Sequence, residues 1–293
     1  MTTAATQWTT RALLEWTTGF FKKKGLDNPR LSAEMLLAHV LATRRLKLYM
    51  EPERPSTELE RATFRELVER AAKHEPVDYL IGSAPFFSMT LEVNRSVLIP
   101  RPSTEALVEH VLQHARRTPG FQNPRIADIG TGSGAIAIAL AKNLPAASVI
   151  ATDVSEAALQ LAAHNAKQHQ VAERITFHQG ELYEPLGQAR FEYIVANPPY
   201  ISDDEWTEVP ANVKEYEPAK ALRAGPDGLQ HLRPLIQHAG RHLAQPGQLI
   251  LEIAAAQKQT VRELAEKQPG LTNAHILADH EALPRVLVAD TAD

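Results

Sequence analysis

The chain has 293 residues, room for one large domain or two smaller ones, and its 44% hydrophobic and 23% charged residues match a soluble globular protein. It has no cysteine, which excludes disulfides, thiolate metal sites and a cysteine nucleophile, and suits a reducing compartment. The formal net charge of −4 divides into +2 over residues 1–80 (13 Lys+Arg, 11 Asp+Glu) and −6 over residues 81–293 (18 and 24), so the larger part lacks the basic footprint of a protein acting directly on duplex nucleic acid.

The N-terminal stretch lacks the charged-then-apolar pattern of a signal peptide, and no apolar run approaches the roughly 20 residues a membrane helix needs. A cytoplasmic protein with no membrane contact is expected. Residues 1–80 read as a small helical bundle. Thr57 and Glu60 have capping-box spacing, followed at helical intervals by Phe64, Leu67, Val68 and Ala71. Residues 35–41 are apolar nearly all round, as in a core helix, with Ser32 placed as an N-cap. Lys22-Lys23-Lys24 reads as a solvated helix end.

Residues 81–101 change character. Segments 86–93 and 96–99 are strand-like with Asn94-Arg95 between them, which predicts a β-hairpin linker ended by Pro100 and Pro102. From residue 102 to the end, short apolar strands at 125–129, 148–152, 175–178, 193–196 and 248–253 alternate with helical stretches such as 135–143 and 156–168. This alternation predicts an α/β fold, a mostly parallel sheet with helices on both faces. Strand-like segments 274–277 and 285–289 predict an antiparallel edge. Residues 201–225 carry few periodic signals and are expected to order only with substrate. His110 and His114, four apart, have metal-ligand spacing, but no third ligand is near and a solvated helix face is expected; Asp203-Asp204-Glu205 reads as a solvated loop.

Between the first α/β strand and its helix lies Asp128-Ile129-Gly130-Thr131-Gly132-Ser133-Gly134. Dinucleotide sites use G-x-G-x-x-G; here the spacing is G-x-G-x-G, no basic residue follows, and Asp128 stands just ahead. These features favour a ligand with an ammonium and a sulfonium over one with a pyrophosphate. Asp153, 19 residues past Gly134 at the end of the next strand, is placed to accept from ribose hydroxyls, while Ser155 competes with it as N-cap. Glu181 and Leu182, after the third strand, fall beside the base of such a ligand.

The chemical motif is Asn197-Pro198-Pro199-Tyr200, at the end of the fourth strand. Two prolines fix their own φ and restrict the residues before them, so Asn197 and the Pro198 carbonyl sit on stiff backbone. An amide nitrogen is a poor nucleophile because its lone pair is delocalised. Acceptors at the Asn197 side-chain oxygen and the Pro198 carbonyl can hold both N–H groups of an NH₂ with the lone pair toward a methyl donor. Tyr200 is expected to pack on the flat face of the substrate. No metal is required.

On these motifs, and on residues 29–41, 75–82, 97–105, Glu217-Pro218 and 225–229, the chain resembles the bacterial release-factor glutamine methyltransferases (HemK/PrmC) nearly end to end. The resemblance implies an N-terminal helical substrate-recognition domain (1–80), a β-hairpin linker (81–101) and a class I, Rossmann-like methyltransferase domain (102–293). It implies S-adenosyl-L-methionine as cofactor, S-adenosyl-L-homocysteine as product, and the glutamine of the Gly-Gly-Gln motif of class 1 peptide chain release factors as substrate. Cofactor contacts carry over onto Gly130, Thr131, Gly132, Ser133, Gly134, Asp153 and Asn197, and substrate contacts onto Asn197, Pro198, Pro199 and Tyr200. Two positions depart from the family pattern: Ser103 stands for an acidic residue, and Leu182 for a frequent aromatic. Alternatives are an adenine-directed RNA or DNA methyltransferase, which the acidic charge of 81–293 and the 99–105 stretch disfavour, a ribosomal-protein glutamine methyltransferase, and a non-catalytic adenosine-binding module.

Overall fold

The computed structural model describes residues 8–292. By internal contacts the chain divides into two compact units, residues 1–83 with 211–216, and residues 84–210 with 217–293.

The first unit is helical: α1 (Thr10–Lys23), α2 (Pro29–Val40), α3 (Arg45–Met50), α4 (Glu58–Ala71) and α5 (Val77–Ile81). The capping box forms reciprocally, Glu60 N donating to Thr57 Oγ1 at 3.2 Å and Thr57 N to Glu60 Oε2 at 2.8 Å. Ser32 is not an N-cap. Helix α2 starts three residues earlier because Pro29, with its φ preset, takes the first turn behind Asn28. Leu13, Leu14, Phe21, Leu36, Leu37, Phe64 and Leu67 form one core. Phe21→Ala is expected to destabilise the protein by about 3–5 kcal/mol, since its fully buried ring would leave a cavity; a shift below about 1 kcal/mol in denaturant unfolding would show that this core is loosely packed.

After the unit boundary, which falls within the first strand, come the hairpin β1 (Ser83–Phe86) and β2 (Met89–Glu92), then α6 (Glu105–Arg117), β3 (Arg125–Ile129), α7 (Ala135–Asn143), β4 (Ser148–Asp153), α8 (Glu156–Gln168), β5 (Ile175–Gln179) and β6 (Phe191–Ala196). After α9 (Ala211–Tyr216), which belongs to the first unit, follow α10 (Leu232–His242), β7 (Leu243–Glu252), α11 (Lys258–Glu266), β8 (Leu271–Ala278) and β9 (Pro284–Thr291). The seven-stranded sheet runs β5-β4-β3-β6-β7-β9-β8. Its first five strands are parallel, and β7–β9 and β9–β8 are antiparallel. Successive strand residues enter opposite cores: Tyr193 and Val195 join Ile126 and Ile250, whereas Ile194 and Ala196 join Leu249 and Leu251. This is the predicted α/β sheet with its antiparallel edge.

The hairpin turn differs from expectation. It lies at Phe87-Ser88, both at positive φ (46° and 59°), not at Asn94-Arg95. The Phe87 N–H donates to Glu105 Oε1 at 2.8 Å, a distant contact that holds the strained turn. Asn94 instead opens an Asx turn, its Oδ1 accepting from Ser96 N at 2.9 Å. Segment 96–99 therefore forms no strand and runs on to Glu217, where Ile99 N donates to Oε2 at 3.2 Å.

Residues 201–225 carry regular structure of their own, with short helical turns and a backbone bridge. Ile201 N donates to the Leu222 carbonyl and Ala224 N to that of Ile201, closing a bridge between Ile201 and Arg223. Asp203 is ion-paired with Arg223 rather than simply solvated, at 2.7 Å.

Candidate active site

Strand β3 is the switch point of the sheet: β4 and β5 extend from one side, β6 and β7 from the other. Loops leaving β3 and β6 diverge at their carboxyl ends and open a crevice. The register delivers the motifs to one edge. Ile129 aligns with Thr152 and with Ala196, and Asp153 with Gln179. The next residues are the glycine loop, Asp153 itself, the Gly180–Glu181 turn and Asn197.

A cavity of about 350 Å³ opens there. It is lined by Gly130, Thr131, Gly132, Ser133, Asp153, Glu181, Leu182, Asn197, Pro198 and Pro199, all predicted from sequence. Asp128, Gly134 and Tyr200 do not line it. Residues to which the sequence assigns no role complete the wall: Thr104 and the Val97-Leu98 segment, Pro218 to Ala221, His231 and Leu235. The only signal for Thr104 is its place in the 99–105 stretch, which points to a family but to no role.

Gly132 adopts φ +55° and Gly134 φ +83°. A Cβ on Gly132 would meet nothing within 4 Å, so its glycine serves the left-handed backbone and leaves that backbone bare to the cavity. On Gly134 a Cβ would lie 2.9 Å from Ile138 Cδ1 and 3.1 Å from Ala162 Cβ, so this glycine serves the packing of α7 against α8.

Asp153 Oδ2 accepts from Gly132 N at 3.0 Å and Oδ1 from Ser155 N at 2.9 Å. Ser155 takes the N-cap of α8, accepting from Ala158 N, so Asp153 is left to organise the loop and face the cavity. The donor set fits an adenosine-type cation: a carboxylate on the cavity wall able to accept from hydroxyls, bare loop backbone, no basic residue on the glycine loop, and apolar walls at Ile136, Leu182 and Leu235.

Asp128 lies beneath the loop, fully buried, rather than on the ligand. Its Oδ2 accepts from Thr131 Oγ1 at 2.7 Å and Ala137 N at 3.1 Å, while Oδ1 has no hydrogen-bond partner among the described residues. Burial pushes its carboxyl up to about 7. The unfolded chain, with an ordinary value near 3.8, ionises first, so this contribution to stability is complete below that value and is lost as pH rises through about 7. Relative to Asp128→Asn, the wild type is expected to lose up to about 4 kcal/mol of unfolding free energy between pH ~4 and ~7. Urea unfolding across pH checks this, and a difference that stays flat would show an ionised Asp128 throughout.

Asn197 follows β6 directly, and its Nδ2 donates to Thr104 Oγ1 at 3.0 Å. Tyr200 packs against the core around β7 and α10, and its carbonyl accepts from Gln257 Nε2 at 3.2 Å. Burial raises its phenol. Tyr200 therefore packs on the core and does not line the cavity. His110 and His114 are not on a solvated face: His110 Nε2 meets Gln248 Oε1 at 3.1 Å and His114 Nδ1 meets Tyr193 OH at 2.7 Å, fastening α6 to the sheet.

The family model described as the PrmC N-terminal domain matches residues 12–82, and that of the methyltransferase small domain matches residues 101–214. The chain is 42% identical over 284 residues to a release factor glutamine methyltransferase of Rhodopirellula baltica, covering 96% of each chain. It is 39% identical to proteins of the same name from Geobacter sulfurreducens and Chlorobaculum tepidum, again over 96% of each. Among solved structures, the hMettl16 catalytic domain superposes with a TM-score of 0.54 at 18% identity, covering 71% of this chain and 77% of that one. A methyltransferase from Pyrococcus furiosus does so with 0.50 at 17%, covering 70% and 89%. At that identity these two establish the fold alone.

Proposed function

The chain belongs to the release factor glutamine methyltransferase family, and from that premise we propose that it methylates the side-chain amide nitrogen of the Gly-Gly-Gln glutamine in class 1 peptide release factors. It is an S-adenosylmethionine-dependent enzyme with a class I methyltransferase sheet. The single observation that carries the site assignment is the β3–β6 register, Ile129 opposite Ala196, which sets Asn197-Pro198 beside the glycine loop in one cavity.

S-adenosylmethionine supplies an electrophilic methyl group on its sulfonium sulfur when bound. Gly130, Thr131, Gly132, Ser133, Asp153, Glu181 and Leu182, which line the cavity, would hold it. The Asn197 side-chain oxygen and the Pro198 carbonyl accept the two N–H groups of the glutamine amide, fixing its nitrogen. These acceptors bind more strongly as the nitrogen becomes tetrahedral and its protons more acidic, so they favour the transition state over the ground state. The prolines keep both acceptors in place before substrate arrives. A cytoplasmic setting follows from the substrate; among the described residues no helix is long and apolar enough to cross a membrane.

The test offers labelled cofactor with a release factor, the same factor with its Gly-Gly-Gln glutamine changed to alanine, and total RNA. Label is expected on the first alone. Label on RNA, or equal label on the alanine factor, would overturn the assignment and favour the adenine-directed reading.

A further inference from the structure

We propose that Thr104 and Glu252 are positioning residues that determine which end of the Asn197 side-chain amide faces the cavity. The inference rests on the role proposed for Asn197 in holding the substrate amide.

A primary amide is almost symmetrical in shape, so packing alone does not separate its oxygen from its NH₂. The chemistry does. With the oxygen toward the cavity, Asn197 accepts from the substrate NH₂; turned over, it presents a second NH₂ and two donors confront each other.

The neighbouring hydrogen bonds remove this freedom. Leu251 pairs with Ala196 across β7 and β6, so Glu252 and Asn197 are the next residues on adjacent parallel strands. Glu252 is fully buried. Its Oε1 accepts from Ser103 Oγ at 2.9 Å and its Oε2 from Thr104 Oγ1 at 2.5 Å. A threonine hydroxyl has one proton. Thr104 spends it on Glu252 and can only accept from Asn197, so the atom facing Thr104 is Nδ2, at 3.0 Å. The Asn197 oxygen is thereby turned away from Thr104, and both residues line the cavity. Ser103 supplies the second donor that holds the Glu252 carboxylate in this orientation. Removing the Thr104 hydroxyl unlocks the amide without touching the oxygen that meets substrate.

The experiment compares Thr104→Val, Thr104→Ala, Thr104→Ser and Asn197→Ala with the wild-type enzyme, using S-adenosylmethionine and an intact release factor. For valine and alanine, kcat is expected to fall roughly 10- to 100-fold, the usual loss when the partner orienting a functional side chain is removed. Binding of S-adenosylmethionine and KM for the release factor are expected to stay within about threefold. Serine keeps the donor–acceptor hydroxyl and is expected to restore kcat to within about fivefold. The alanine variant covers the case in which valine is too crowded to fold.

If valine or alanine turns over within about threefold of wild type while Asn197→Ala is inactive, the positioning role is wrong and the Asn197 assignment stands. If serine is as slow as valine, the effect is packing and the proposal falls. Normal turnover by Asn197→Ala removes the reading on which the inference depends.

Discussion

Asn197→Ala is expected to bind S-adenosylmethionine within about threefold of wild type and to lose roughly 10²- to 10³-fold in kcat, the size of effect seen when one preorganised group is taken from a developing charge. In the proposed mechanism the variant removes one of two acceptors for the substrate amide. The other, the Pro198 carbonyl, remains, but a single hydrogen bond leaves the nitrogen free to rotate about it, and the near-attack geometry is lost. Folding should survive: the lost contact to Thr104 Oγ1 is one hydrogen bond, worth about 1 kcal/mol, and Thr104 keeps its bond to Glu252. Cofactor binding should survive too, because the loop is organised by Asp153 and Asp128, which the substitution does not touch. Stopped-flow or steady-state methyl transfer at saturating cofactor, paired with calorimetric binding, separates the two effects. A large loss of affinity with normal kcat would place Asn197 in cofactor binding alone.

Asp153→Ala is expected to do the reverse, raising the dissociation constant for S-adenosylmethionine about 100-fold while kcat at saturation stays within about tenfold. A carboxylate that accepts from ribose hydroxyls contributes roughly 1.5–3 kcal/mol per charge-assisted bond. Here it also anchors the loop through Gly132 N, so on the proposed assignment its loss would both remove ligand contacts and loosen the backbone of the glycine loop. The N-cap of α8 remains with Ser155, so the helix is not expected to unravel. An affinity within about threefold of wild type would show that the ribose is held elsewhere.

Much of the site is legible in the amino-acid sequence because its signals are local. The G-x-G-x-G spacing, Asp153 after the second strand and the Asn-Pro-Pro-Tyr elbow each sit at the end of an apolar strand, and strand alternation alone implies that such ends share one edge of the sheet. What the sequence hides depends on contacts between distant residues. Thr104 and Glu252 are 148 positions apart, and nothing in either segment announces the other. The hairpin turn falls away from its expected place because Phe87 and Ser88 adopt a conformation their side chains disfavour, supported by Glu105 from a later helix. Helical spacing makes His110 and His114 look solvated, since it does not reveal that Gln248 and Tyr193 face them. Position in the chain suggests that Asp128 meets the ligand, whereas its partners Thr131 and Ala137 put it under the loop.

The departure at Ser103 also acquires a reason. A hydroxyl there donates to the buried Glu252 carboxyl, which burial raises above the usual carboxylate range and which the Thr104 and Ser103 hydrogen bonds lower only in part. The departure at Leu182 leaves an apolar wall, which suits a base without an aromatic stack.

The most direct measurement is a structure of the protein with S-adenosylhomocysteine and an intact class 1 release factor. The glutamine Nε2 is expected about 2.7–3.2 Å from both the Asn197 side-chain oxygen and the Pro198 carbonyl. A glutamine amide seated in the cavity but bonded to neither acceptor would contradict the account.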